Sequence, residues 1–189
     1  MEKKYLSWED VCHLVDRIVP QVTGHFDALV AITRGGIVPG GLLSERLRIR
    51  QVFIASVRFF RDEDQALDWP IFLQFPDDNL LHGKRVLVVD DIWVDGITIT
   101  SVGERIAQAG GEAVTLVLHY RPASPPPGPT SPPGPVPQGQ AGYAARAGVP
   151  QEQAGPITPA RGPSPDIIGE QTEDYIVYPW EADRSSLGV

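Results

Sequence analysis

Val86-Leu87-Val88-Val89-Asp90-Asp91-Ile92-Trp93-Val94-Asp95-Gly96-Ile97-Thr98 decides the fold of this 189-residue chain. Four apolar residues of buried-strand character run straight into two adjacent carboxylates. A glycine turn and a threonine follow, and helical spacing starts there. Strand, acidic pair, glycine turn and helix together place Asp90 and Asp91 at the carboxyl end of a parallel strand, where open α/β sheets bind their ligands. Backbone amides of the turn then point at an anion, aided by the positive end of the helix, so the stretch reads as a cradle for a phosphorylated sugar.

The flanking sequence repeats the alternation of strand and helix. Ser7 is an N-cap with Asp10 three residues on, and Val11, Leu14, Val15, Ile18 and Val19 follow helical spacing over 8–19. Ala28 to Thr33 is a short apolar strand that ends in Arg34-Gly35-Gly36. Val38 to Leu47 suits a helix, Gln51 to Val57 a second strand, and the polar stretch 58–82 a long loop or a ragged hairpin. Val86 to Val89 is the third strand. Thr98 to Ala109 is the next helix, closed by Gly110-Gly111, and Ala113 to His119 is the fourth strand. This order predicts an α/β protein, a parallel sheet flanked by helices with right-handed crossovers.

After Arg121 the composition changes abruptly. Residues 122–165 hold 14 of the 19 prolines and 7 glycines, with no periodicity. Such a segment buries too little apolar surface to offset its ordering entropy and reads as a disordered insertion. Pro125-Pro126-Pro127 and Pro132-Pro133 suit either a solvated surface segment or a polyproline ligand. The apolar run Tyr175-Ile176-Val177-Tyr178-Pro179-Trp180-Glu181 should return to the fold. The expected division is a core over 1–121, the insertion over 122–165 and a C-terminal segment over 166–189.

Bulk properties narrow the function classes. A net charge of −8 with no Lys/Arg cluster argues against a nucleic-acid binder. One cysteine, Cys12, excludes internal disulfides and a cysteine-based zinc site. The N-terminus lacks the apolar core of a signal peptide, and no apolar run approaches membrane-spanning length, so a cytoplasmic protein with no membrane partner is expected.

Rival readings of the acidic pair fail on spacing. A calcium loop needs oxygen ligands at alternate positions, but Ile92 and Trp93 interrupt that pattern. A response-regulator receiver needs a phosphoacceptor Asp at the end of a later strand, where this chain turns proline-rich. Thr33-Arg34-Gly35-Gly36 supplies what the acidic loop lacks. Its glycines let the backbone approach an anion, and Arg34 adds a permanent, fork-shaped charge.

These residues resemble the type I phosphoribosyltransferases, which join a base to the ribose of phosphoribosyl pyrophosphate (PRPP) and release pyrophosphate. Residues 86–98 are similar to their PRPP signature, and Ile32 to Gly40 to their pyrophosphate loop. Lys4-Tyr5-Leu6-Ser7-Trp8, Arg34 to Gly40 and Tyr175-Ile176-x-x-Pro179-Trp180-Glu181 resemble the bacterial xanthine-guanine (hypoxanthine) branch.

The resemblance implies a role for each matching position. PRPP would be held by Arg34, Gly35, Asp90, Asp91, Ile92, Trp93, Val94, Asp95, Gly96, Ile97 and Thr98. Asp90 and Asp91 would take the ribose hydroxyls, with Asp91 reaching Mg²⁺, and 95–98 would wrap the 5′-phosphate. The Thr33–Arg34 peptide bond would be cis. A small C-terminal hood would cover a nucleobase, with Tyr175 stacking on the ring, the Ile176 backbone reading its edge and Arg121 facing a purine oxygen. Trp180 would pack under the hood or line the pocket. The stretch 58–80, with Arg58 and Arg61, would close over the site. The family habit is a homo-oligomer, dimer or tetramer.

Two departures bear on catalysis. Purine members usually carry Asp, then Thr or Ser, where this chain has Val94 and Asp95. Valine cannot take a proton, which leaves Asp91 and Asp95 as the catalytic candidates, and a carboxylate facing a phosphate is unfavourable unless it turns away. The mobile stretch also carries Asp62-Glu63-Asp64. A 6-oxopurine phosphoribosyltransferase is the first expectation, and a catalytically weak PRPP- or nucleotide-binding regulator of the same fold is the second.

Overall fold

The computed structural model describes residues 2–62, 65–121 and 164–181, with side chains described outside 60–69. The expectations for the proline-rich insertion therefore lie outside the described residues. Six strands form the main sheet: β2 (Ala28–Ile32), β3 (Val52–Asp62), β4 (Gln65–Gln74), β5 (Arg85–Trp93), β6 (Glu112–Tyr120) and β7 (Ile167–Gln171), in the order β4-β3-β2-β5-β6-β7. All neighbours run parallel except β3 and β4. A separate pair, β1 (Lys3–Tyr5) and β8 (Tyr175–Val177), is also parallel.

Side-chain alternation along the central strands builds two apolar layers. Leu29, Ala31, Leu87, Val89, Leu116 and Leu118 face α1 (Trp8–Ile18) and α2 (Ile37–Leu47), meeting Val11, Leu14, Val15, Ile18 and Leu43. Ala28, Val30, Ile32, Val86, Val88 and Val117 face α3 (Ile97–Gln108) through Ile99, Val102 and Ile106. The start of α1 is fixed by a complete capping box. Asp10 N–H donates to Ser7 Oγ at 3.1 Å, and Ser7 N–H donates to Asp10 Oδ2 at 2.8 Å.

Two elements differ from expectation, and the stretch 58–82 takes the ragged-hairpin alternative, with register shifts between Ser56/Val57 and Phe60/Asp62. Its strand β4 tolerates Pro70 because it lies at the sheet edge. Strand β5 does not stop at Val89 but continues through Asp90 and Asp91 to Trp93, supported by β6 on one side. The C-terminal stretch drawn from 166 onward divides: Ile167–Gln171 joins the main sheet beside β6, and only Tyr175–Val177 joins β1. Asp166 fixes that return, because its Oδ2 accepts both the N–H and the Oγ1–H of Thr115 at 2.7 Å. Among the described residues, no helix is long and apolar enough to cross a membrane.

Candidate active site

The order in which the chain connects its parallel strands reverses between β2 and β5. From β2 the chain crosses through α2 to β3 on one side, and from β5 through α3 to β6 on the other. The crevice at such a switch point is where parallel sheets place ligands. The β2–β5 ladder ends at Ala31↔Val89, so Asp90 and Asp91 stand just past the end of that ladder, beside the loop 33–36.

That loop is held tightly against β5. The Thr33–Arg34 peptide bond is cis, as the family resemblance implied. A Cβ at Gly35 would overlap the Asp91 carboxylate, and one at Gly36 would overlap the Val89 carbonyl and sit 2.8 Å from Ile32 N and O. Only hydrogen at these positions lets the loop cross the end of the strand. Arg34 is left exposed, with Gly35 against Asp91.

The paired carboxylates sit in surroundings that disfavour charge. Asp90 is pushed well above the ordinary carboxylate range by burial and then by the neighbouring Asp91, against the backbone amides of Asp91 and Gly36. Burial raises Asp91 from 3.8 to about 6; the Trp180 indole opposes that shift and the Glu181 charge adds to it. Trp180 Nε1–H donates to Asp91 Oδ2 at 3.4 Å, and its ring stacks on Tyr178 at 4.5 Å and 9°. Trp180 thus both packs and lines the cleft.

The glycine turn is built as expected, with one addition. Gly96 has φ +73°, a conformation that favours glycine, and α3 begins at Ile97. Asp95 Oδ1 accepts the Ile97 N–H at 3.1 Å, so the exposed carboxylate occupies one of the amides an anion would use. Val94 is exposed beside it.

A cleft of about 1200 Å³ joins these parts. Arg34, Gly35 and Asp91 line it together with Tyr175, Val177, Trp180 and Glu181 from the C-terminal segment and Lys3 and Tyr5 from β1. Asp90, the turn 92–98, Arg121 and Ile176 are outside its lining. Arg121 stays close, its guanidinium carbon 5.5 Å from the Tyr175 ring centre. The Ile176 side chain is buried in the core and its backbone lies in the β1–β8 ladder. Tyr175 is 47 % exposed on the cleft lining, with the Arg121 guanidinium over its ring. No site role is read from the sequence for Lys3, Tyr5 or Glu181: Tyr5 and Glu181 fall in runs that carry the resemblance, but the three-residue strand of Lys3 and Tyr5 has no periodicity to mark a site. A guanidinium and amide grip, a carboxylate midway and an aromatic face suit a multiply charged sugar phosphate beside a planar ring.

The profile described as "Phosphoribosyl transferase domain" matches residues 3–128. The xanthine-guanine phosphoribosyltransferase of Ruegeria sp. (strain TM1040) is 36% identical over 106 residues, 53% of this chain and 56% of that protein. Its counterpart from Chromohalobacter salexigens is 30% identical over 105 residues, 55% and 62% of the two chains. The chain thus spans about 56–62% of the length of these relatives. The crystal structure of a purine phosphoribosyltransferase from Pyrococcus horikoshii Ot3 superposes with a TM-score of 0.65 over 97% of both chains at 22% identity, a likeness of fold. With the profile covering most of its length, the chain belongs to the phosphoribosyl transferase domain family.

Proposed function

We propose that this protein transfers ribose 5-phosphate from PRPP to a 6-oxopurine (guanine, xanthine or hypoxanthine) and releases pyrophosphate. The observation that carries the reading is the convergence of Arg34, Gly35, Asp91 and Tyr175 on one cleft. The names of the curated relatives support the purine class.

In this reading Arg34 and the loop amides hold the departing pyrophosphate. Asp90 and Asp91 accept hydrogen bonds from the ribose hydroxyls, and Gly96 to Thr98 hold the 5′-phosphate at the start of α3. Tyr175 stacks on the base, the Ile176 backbone meets its edge, and Arg121 faces its oxygen. Asp95 takes the purine proton, since Val94 cannot. Among the described residues there is no cluster of three or more His, Cys, Asp or Glu able to hold a metal ion. Mg²⁺ asks for less, because it keeps several waters and takes one or two carboxylates plus substrate phosphate oxygens. Asp91 fits that role, with a desolvated carboxylate on the cleft wall that a cation would favour in its ionised form. When bound, the ion supplies charge neutralisation on the leaving diphosphate. The reading extends to a homo-oligomer, dimer or tetramer, which light scattering would register.

Val94 and the Asp95–Ile97 hydrogen bond favour a second reading, a PRPP- or nucleotide-binding regulator with weak turnover. One assay separates the two. Purified protein with PRPP and Mg²⁺ is offered guanine, hypoxanthine, xanthine, adenine, uracil and orotate in turn, and pyrophosphate release is followed. Release with an oxopurine supports the transferase. PRPP binding without release for any base supports the regulator, and absence of PRPP binding excludes both.

A further inference from the structure

Two buried polar side chains, Tyr178 on the cleft lining and His119 behind it, are not used by the proposed chemistry. Tyr178 is 2% exposed and His119 is 1% exposed. The Tyr178 hydroxyl lies 2.8 Å from the Asp91 carbonyl oxygen and 2.8 Å from His119 Nδ1. A phenol has one proton, and a carbonyl oxygen can only accept, so that proton points at Asp91. His119 Nδ1 must then carry a hydrogen and donate it to the phenol oxygen, which fixes the tautomer. Burial pushes the imidazole down to about 4, so near neutral pH the ring has one N–H, and this contact takes it.

The three groups come from distant parts of the chain. His119 stands opposite Ile92 in the β5–β6 ladder, and Tyr178 follows β8. The β2–β5 ladder has ended two residues before Asp91, at the point where β5 leaves its neighbour. There the backbone is gripped by a side chain, while Trp180, stacked on the same tyrosine, reaches the Asp91 carboxylate. Asp91 is therefore held at its carbonyl and at its carboxylate by two stacked aromatic residues of one segment. An ordinary core contact would need neither the fixed tautomer nor a phenol aimed at that particular carbonyl.

We propose that Tyr178 and His119 are positioning residues for Asp91: the imidazole orients the phenol, and the phenol fixes the backbone so that the Asp91 carboxylate faces the cleft. This rests on the reading of Asp91 as a PRPP ligand. The pair acts on binding through Asp91, and Tyr178 is also part of the cleft wall.

The test uses the full chain and three variants, Tyr178→Phe, His119→Phe and His119→Gln, each checked for a cooperative melt. PRPP affinity is measured by calorimetry with Mg²⁺, and the Asp91 carbonyl ¹³C shift is read in ligand-free protein. Tyr178→Phe should move that shift and weaken PRPP binding about tenfold or more. His119→Phe should do the same in smaller measure, and His119→Gln, which keeps a donor toward the phenol, should restore binding to within about threefold of the parent. Variants that melt earlier yet bind PRPP like the parent, or an unmoved Asp91 shift in Tyr178→Phe, overturn the proposal. Failure of the parent itself to bind PRPP overturns the functional reading instead, and this inference with it. His119→Phe and His119→Gln keep the question open to refutation even if Tyr178→Phe does not fold.

Discussion

A histidine held neutral inside a fold makes stability fall as the solution turns acidic, and His119 is placed to show this. Burial lowers it from 6.5 to about 4; Glu170 opposes the shift, and Lys4 and Arg17 reinforce it. In the unfolded chain the ring titrates near its ordinary value. Between these two values the unfolded state binds a proton that the folded state refuses, so the contribution is whole above about pH 6.5 and is lost as the pH falls toward 4. At about 1.4 kcal/mol per unit, the shift is worth about 3 kcal/mol in full, of which about 2 is gone by pH 5.

Asp91 works in the opposite sense. Its folded value is raised from 3.8 to about 6, so the folded state keeps a proton that the unfolded state releases, and stability declines as the pH rises through that window. The parent curve alone therefore mixes two opposed slopes. His119→Gln isolates one of them, because glutamine does not titrate and still offers a donor to Tyr178. Urea unfolding of parent and variant at about pH 7.5 and about pH 5 should show the difference between them shift by about 2 kcal/mol in favour of the variant at the lower pH, roughly 1 M in midpoint. A difference that stays constant within about 0.5 kcal/mol across that range would refute the neutral buried ring.

Other substitutions probe the loops and the returning chain. Gly36→Ala places a methyl against the Val89 carbonyl and the Ile32 backbone, neither of which can give way. It should cost several kcal/mol, roughly 3 or more, read as a lowered midpoint or loss of folded protein; parent-like stability would disprove the tight crossing. Asp95→Thr removes a carboxylate from the Ile97 amide and should tighten PRPP binding about tenfold by calorimetry. Unchanged affinity there would mean the carboxylate is no obstacle. Asp166→Ala strips the acceptor from Thr115, which is 3% exposed, and should cost about 2 kcal/mol in chemical denaturation. The Asp90→Asn/Asp91→Asn double variant should lose PRPP binding by about a hundredfold or more, and retained affinity would remove both carboxylates from the site.

Local signals made the two central βα units legible. The apolar alternation of β2 and β5, the capping box at Ser7 and Asp10, and the glycine turn before α3 each act within a few residues of chain. The parts that were missed depend on partners far away in sequence. Strands β1 and β8 are three residues each and are defined by pairing with one another, not by any period. Ile167–Gln171 is an edge strand with half-buried side chains, so its pattern resembles that of a polar return loop. Tyr178 reaches Asp91 across 87 positions and His119 across 59, separations no spacing rule can detect.

Two departures from the family pattern, Val94 and Asp95, sit in one turn, and Asp95 has a physical consequence there. Val94 puts an apolar group where a proton acceptor is usual, and Asp95 places its charge on the amide that opens α3. In the unliganded turn that contact is favourable, since an acidic oxygen at a helix start satisfies a free N–H and meets the positive end of the dipole. In the proposed reading the same oxygen competes with a 5′-phosphate for the same hydrogen. On the pyrophosphate side the Gly36 N–H is engaged by the Ile32 carbonyl at 2.8 Å and by the Asp90 carboxylate, but the exposed Arg34 on the cleft wall adds a permanent cation that the turn lacks. The two ends of a sugar bisphosphate would thus meet unequal resistance. Asp95→Thr should accordingly improve binding of ribose 5-phosphate by a larger factor than binding of pyrophosphate, whereas equal factors would place the Asp95 effect in the stability of the turn rather than in competition for its amide.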